Sequence, residues 1–133
     1  MSAENVATVD RIYQGWERGD FTVGVAAFDE NALLILDPEM PDTGEYTGPD
    51  QIRGYMKGFL EAWESLTIAA ESVEDLGDVV LAKVRQSGVG RDSGASVAFS
   101  YFQLWRFEGG RVVRLESILH EERALEAAGL SGR

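Results

Sequence analysis

Residues 95–119 read ASVAFSYFQLWRFEGGRVVRLESIL, and this stretch decides the fold. Successive side chains of an extended strand point to opposite faces. Phe99, Tyr101, Gln103 and Trp105 therefore share one face, and Ala98, Ser100, Phe102 and Leu104 the other. The pattern predicts a long strand over 95–107, a hairpin turn at Glu108, Gly109 and Gly110, and a last strand over 111–119. Working outward, Leu66 to Val73 and Val79 to Val89 follow the same two-residue period. They are separated by Asp75, Gly77 and Asp78, and a turn at Arg91 to Gly94 leads into the long strand. Four consecutive strands joined by tight turns make an antiparallel meander.

The first 60-odd residues follow a different period. Val6, Val9, Tyr13 and Trp16 recur at steps of three and four, the buried stripe of a helix, with Ser2 as its cap and Gly19 as its stop. Asp20 is expected to cap a short second helix with Val23, Ala27 and Phe28 inward, although Gly24 weakens it by about 1 kcal/mol relative to Ala. Ala32 to Leu36 predicts a short strand ended by Asp37 and Pro38, and a rim loop through Pro41, Gly44 and Gly48. Pro49 suits the first turn of a third helix, where its missing N–H costs nothing; Ile52, Tyr55, Met56, Phe59 and Trp63 mark its buried face. His120 to Ala128 predicts a short terminal helix stopped at Gly129. The order is α-α-β-α-β-β-β-β-α, an α+β fold with helices on one face of a curved, mainly antiparallel sheet, and a single domain over 1–133.

Bulk properties narrow the function. Asp plus Glu outnumber Lys plus Arg by 23 to 12, a net charge of −11, so phosphate backbones and anionic membranes are repelled and no nucleic acid or membrane partner is expected. No apolar run approaches the roughly 20 residues that span a bilayer, and Met1 to Asn5 lack a signal-peptide start, so a cytoplasmic location is expected. Cysteine is absent, which removes disulfides and thiolate chemistry. With His120 as the single histidine, no metal site and no cofactor is expected.

The order of elements resembles the NTF2-like superfamily, which includes ketosteroid isomerase, scytalone dehydratase, limonene epoxide hydrolase and the SnoaL-like polyketide cyclases. The pieces that carry the resemblance are Gly19-Asp20, Leu36-Asp37-Pro38, Gly48 through Ile52, Leu104-Trp105-Arg106-Phe107 leading into Gly110-Arg111-Val112, and the closing run Glu122 to Leu130. No single piece is specific; their order and spacing are. The resemblance implies a cone-shaped fold whose sheet wraps a deep pocket, and a homodimer through the outer sheet face.

Asp37 matches the isomerase aspartate that shuttles a proton, and a carboxylate at the end of an apolar strand is expected to have a raised pKa suited to a general base. As a strand-ending Asp before Pro it also fits a plain turn. The remaining isomerase residues do not carry over. The oxyanion-hole tyrosine falls on Ile12, one step from Tyr13, its two supporting tyrosines on Phe28 and Met56, and the protonated aspartic acid on Gln103. Steroid isomerase activity is therefore not expected. Gln103 can orient a ligand carbonyl or a water, or pair across the sheet. Tyr13, Trp16, Tyr55, Phe59, Tyr101, Trp105 and Leu119 are the expected pocket lining for a small hydrophobic molecule. Arg85, Glu116 and His120 have no assigned face, and Lys83, Arg85, Glu71 and Glu116 suit cross-strand charge pairs.

Two readings follow. One is an enzyme without a cofactor (isomerase, cyclase, dehydratase or hydrolase) using Asp37 as base. The other is a non-catalytic ligand-binding or dimeric accessory domain. The fold alone does not choose between them.

Overall fold

The computed structural model describes residues 3–40 and 42–130; the expected cap at Ser2 lies outside them. Helix α1 (Ala3–Glu17) is followed by strand β1 (Phe28–Leu36), strand β2 (Gly44–Thr47), helix α2 (Gly48–Glu61), strands β3 (Trp63–Asp75), β4 (Val79–Gly90), β5 (Ser96–Glu108) and β6 (Arg111–Ile118), and helix α3 (Glu121–Ala127). The six strands form one mixed, curved sheet in the order β2-β1-β6-β5-β4-β3. Among the described residues, β1 and β6 are the one parallel pair. The meander is in the expected register, with Gln103 opposite Ala82 on one side and Ser117 on the other. Irregular register in β1, β3 and at Arg106–Phe107 marks places where the strands bend, as bulges do.

Helices α1 and α2 lie on the concave face. The buried stripe of α1 is Val9, Ile12, Tyr13 and Trp16. Asn5 Nδ2 donates to the carbonyl of Gly77 at 3.1 Å, tying the helix start to the β3–β4 turn. Helix α2 buries only Gly48 and Ile52 fully. Tyr55, Met56 and Phe59 on the same helix are half-buried because they face a hollow rather than a packed layer. Helix α3 sits on the convex face, where Ala124 and Leu125 pack with Val79, Leu81, Leu104 and Ile118 in a second, smaller core.

Three expected elements differ. The second helix is a single 3₁₀ turn at Val25–Ala27, and Phe28 opens β1 instead of facing inward from a helix. Asp20 spends its carboxylate on Thr22, accepting from its backbone N–H and its hydroxyl, and Gly24 adopts a left-handed φ of 106°, which no helix continues through. The rim loop contains β2, which pairs antiparallel with β1. Thr43 Oγ1 also donates to the carbonyl of Leu36, folding the rim back on the strand. Finally, Trp63 opens β3 instead of ending α2, and keeps an edge contact with Phe59 at 6.1 Å.

Gly24 supplies a test. A Cβ there would lie 2.8 Å from Ile12 Cγ1, at a φ that L-residues rarely adopt. Gly24→Ala is expected to destabilise the chain by about 2 kcal/mol, read as a lowered urea midpoint at unchanged slope.

Candidate functional site

A cavity of about 370 Å³ lies between the concave sheet face and α1, α2 and the 19–28 segment. Its wall is largely hydrocarbon, with polar side chains at Asp42, Tyr55, Gln86, Tyr101, Gln103 and Ser117. Asp42 is the one carboxylate among the lining residues.

The deep end is organised by a buried hydrogen-bond relay. Trp105 Nε1–H donates to the Tyr13 hydroxyl at 2.9 Å, and that hydroxyl donates to Gln103 Oε1 at 2.6 Å. An indole nitrogen can only donate, so the Tyr13 proton must go onward, and this fixes the carbonyl oxygen of Gln103 toward Tyr13. The amide nitrogen then faces Ser117 Oγ, at a long 3.4 Å. Burial raises the Tyr13 pKa well above its ordinary value, opposed by the bond from Trp105. The hydroxyl therefore stays protonated.

The second polar cluster joins the rim to α2. The Tyr55 hydroxyl donates to Asp42 Oδ2, and Tyr101 donates to Gln86 Oε1 at 3.0 Å. Burial, then the Asp42 carboxylate, raises the pKa of both tyrosines. Tyr55 lies between Tyr46, tilted against it at 4.8 Å, and Phe59, stacked at 5.9 Å, which holds its ring against the rim.

Of the residues expected at the pocket, Trp16, Tyr55, Phe59, Tyr101, Gln103 and Leu119 line the cavity. Tyr13 and Trp105 do not; they form the packed layer behind it, and Ile12 takes the lining position on α1.

Asp37 departs furthest from expectation. It is 3% exposed but is not part of the cavity wall. Its Oδ1 accepts from the backbone N–H of Glu39 at 2.9 Å, and its Oδ2 from the N–H of Leu119 at 2.8 Å and from Arg123 at 3.2 Å. Burial pushes its pKa up, but the two backbone donors, Arg123 and His120 together outweigh it, so the pKa is lowered instead of raised. The site fastens the end of β1 to the end of β6 and to α3. Glu39 completes it by pairing with Arg123 and with His120 Nε2.

Of the unassigned charges, Arg85 and Glu116 lie on the convex side. Arg85 is exposed opposite Ala69 and Ser100, Glu116 pairs with Arg114, and Glu71 accepts from Ser100. His120 precedes α3 without capping it through its side chain. Among the described residues no cluster of three or more His, Cys, Asp or Glu is placed to hold a metal ion, and no helix is long and apolar enough to cross a membrane.

Asp42, Gln86 and Ser117 are site residues that the sequence reading did not single out as ligand contacts. Strand alternation gives a signal for two of them, since Gln86 shares a face with Val84 and Ala82, and Ser117 is opposite Gln103. Asp42 lies in the rim, where no period indicates direction.

A family model for the SnoaL-like domain matches residues 9–115, which include the cavity-forming helices and all six strands at least in part. The chain belongs to the SnoaL-like domain family. The solved structures it resembles share its NTF2-like fold along almost the full length. An NTF2-like protein from Burkholderia thailandensis is 24% identical, with a TM-score of 0.81 over 98% of each chain. A putative SnoaL-like polyketide cyclase from Jannaschia sp. CCS1 is 20% identical, with a TM-score of 0.75 over 100% of this chain and 98% of that one. A protein with a ketosteroid isomerase-like fold from Catenulispora acidiphila is 16% identical, with a TM-score of 0.69 over 98% of this SnoaL-like chain and 95% of that one. No curated protein matches the chain at a significant level.

The Asp37 arrangement gives a pH prediction with a definite sign. A carboxyl whose pKa is lower folded than unfolded stabilises the fold above its ordinary value, near 4, and loses that contribution as pH falls through the lowered folded value. Asp37→Asn should cost about 2 kcal/mol at neutral pH. It should also flatten the loss of stability below about pH 4. Urea unfolding between pH 2 and pH 7 checks both; an unchanged acid slope would contradict the assignment.

Proposed function

We propose that this SnoaL-like chain holds a small, flat, mainly apolar molecule in its cavity, and that Asp42, paired with Tyr55, is the group that exchanges a proton with it. The observation that carries the reading is the composition of the wall: one ionisable carboxylate, on the rim, in an otherwise hydrocarbon and neutral polar enclosure. A cavity of about 370 Å³ suits a molecule of two or three fused rings. Gln103 supports the reading from the deep end. Its carbonyl is committed to Tyr13, so its amide N–H groups are the part offered to Ser117 and to a ligand oxygen.

In this scheme a ligand carbonyl takes a hydrogen bond from Gln103. The Asp42 carboxylate accepts a proton from a neighbouring acidified carbon and returns it elsewhere on the same molecule. Tyr55, kept protonated, holds the carboxylate in position. Such chemistry consumes no cofactor. Asp37 takes no part in it; its carboxylate is spent on two backbone N–H groups and Arg123.

A second reading, binding without turnover, is favoured by one feature. The polar lining groups are largely paired with each other, Tyr55 with Asp42, Tyr101 with Gln86, and Gln103 with Tyr13 and Ser117. Self-association through the convex face is part of either reading. Beyond α3 the outer side of β3–β5 is open, with Thr67, Arg85 and Ala98 exposed.

Asp42→Asn separates the two readings. For a proton-transfer enzyme, exchange of ligand α-protons with deuterium, followed by NMR, is expected to fall by at least about a hundredfold, while ligand affinity changes less than threefold. Exchange that persists in Asp42→Asn and stops in Asp37→Asn would transfer the base to Asp37. No exchange in any form, with binding intact, leaves the binding domain.

A further inference from the structure

Gln86 is 4% exposed and lines the cavity, yet the protein uses only half of its amide. Its Oε1 accepts from the Tyr101 hydroxyl at 3.0 Å, and among the described residues its Nε2 donates to nothing. The one described side-chain nitrogen or oxygen that is both sealed by protein atoms and unpartnered is the indole nitrogen of Trp16. The Gln86 nitrogen is unpartnered without being sealed, so it keeps accessible surface of its own. That surface belongs to the cavity. Gln86 stands on the concave face of β4, opposite Ile68 of β3 and Phe99 of β5, and both of these line the same hollow.

The direction of the amide follows from its neighbour. Burial keeps Tyr101 protonated, and its hydroxyl proton needs an acceptor, which Gln86 Oε1 supplies. Turning the amide over would set N–H₂ against the hydroxyl and take that acceptor away. The free half is therefore the donor half. Its place along the sheet is also fixed. Gln103 pairs with Ala82, four residues before Gln86 on β4. At about 3.3 Å per residue, the two glutamine backbones stand about 13 Å apart along the strands. Gln103 serves the deep end, whereas Tyr101 feels the charge of Asp42, which places the Gln86 pair beside the rim cluster. A carboxylate repels a ligand oxygen, so an N–H donor in the same cluster is what lets an oxygen settle at this end.

We propose that Gln86 is a specificity-determining ligand contact: its amide N–H₂ donates to a carbonyl or ether oxygen of the bound molecule at the Asp42 end of the cavity, away from the donor that Gln103 offers at the deep end. The ligand class is then a rigid apolar body with an acceptor oxygen at each end. This rests on the cavity being a small-molecule site, as argued above, and does not depend on whether turnover occurs.

Two probes of nearly the same shape, 2,6-dimethoxynaphthalene and 2,6-diethylnaphthalene, carry an ether oxygen or a methylene at each end and test the proposal on the full chain. In wild-type protein labelled with ¹⁵N and ¹³C, the Gln86 side-chain amide is assigned through its own carbons. The dimethoxy probe is expected to shift that N–H₂ resonance downfield relative to the diethyl probe, which brings the same rings and the same ring current. Gln86→Met keeps the side-chain length and removes the donor. It should bind the dimethoxy probe about tenfold more weakly and the diethyl probe within twofold of wild type, the difference between the two losses isolating the N–H₂. Equal losses for both probes, or a Gln86 resonance that responds alike to both while the dimethoxy probe binds, would overturn the role of Gln86 and leave the cavity reading standing. If neither probe binds, the cavity reading falls and the inference with it. Should Gln86→Met fail to fold, the wild-type resonance alone decides.

Discussion

The relay from Trp105 through Tyr13 to Gln103 fixes the geometry on which the cavity depends. It joins α1 to the centre of the sheet by two directional bonds inside an apolar interior, where leaving either partner unmade costs about 1–3 kcal/mol. That cost determines the rotation of α1. With Tyr13 turned into the sheet, Ile12 and Trp16 come to the cavity on either side of it. It also determines which half of the Gln103 amide is left for a ligand. One buried hydroxyl therefore sets the rotation of a helix and the polarity of the deep end.

The two acidic residues of the β1 end and rim show how environment separates groups of the same chemistry. Asp37 is the more buried, and burial alone would make it a poor acid. Two backbone N–H groups and a guanidinium reverse that balance and make it a structural fastening between β1, β6 and α3. Asp42, five residues later, accepts from a tyrosine hydroxyl and lines the cavity. A carboxylate becomes useful for chemistry when it faces a space a reactant can enter, and burial is no substitute for that position.

The fold was legible because periods are local. The four meander strands, the stripe of α1 and the face of α2 each follow from spacing within about a dozen residues. Their boundaries fall within a few residues of expectation, apart from Trp63. The failures were also local in cause. Asp20 satisfied Thr22 instead of capping a helix, Gly24 turned left-handed, and four residues of the rim found an edge to pair with. The family membership rests on the same pattern of spacing, extended over the chain.

By itself the sequence determined the alternation of faces, the concentration of aromatics on α1, α2 and β5, the absence of thiols and the strong negative charge. These are properties of composition and short-range order. Tertiary structure alone decided that Tyr13 is spent on Gln103, that Asp37 is held by a backbone N–H from 82 residues away, and that Trp16 has a donor and no acceptor. Each of these depends on which groups the packing of distant segments brings together. A hydrogen bond between distant segments is set by packing geometry, and neither partner's neighbours in the chain carry a record of it.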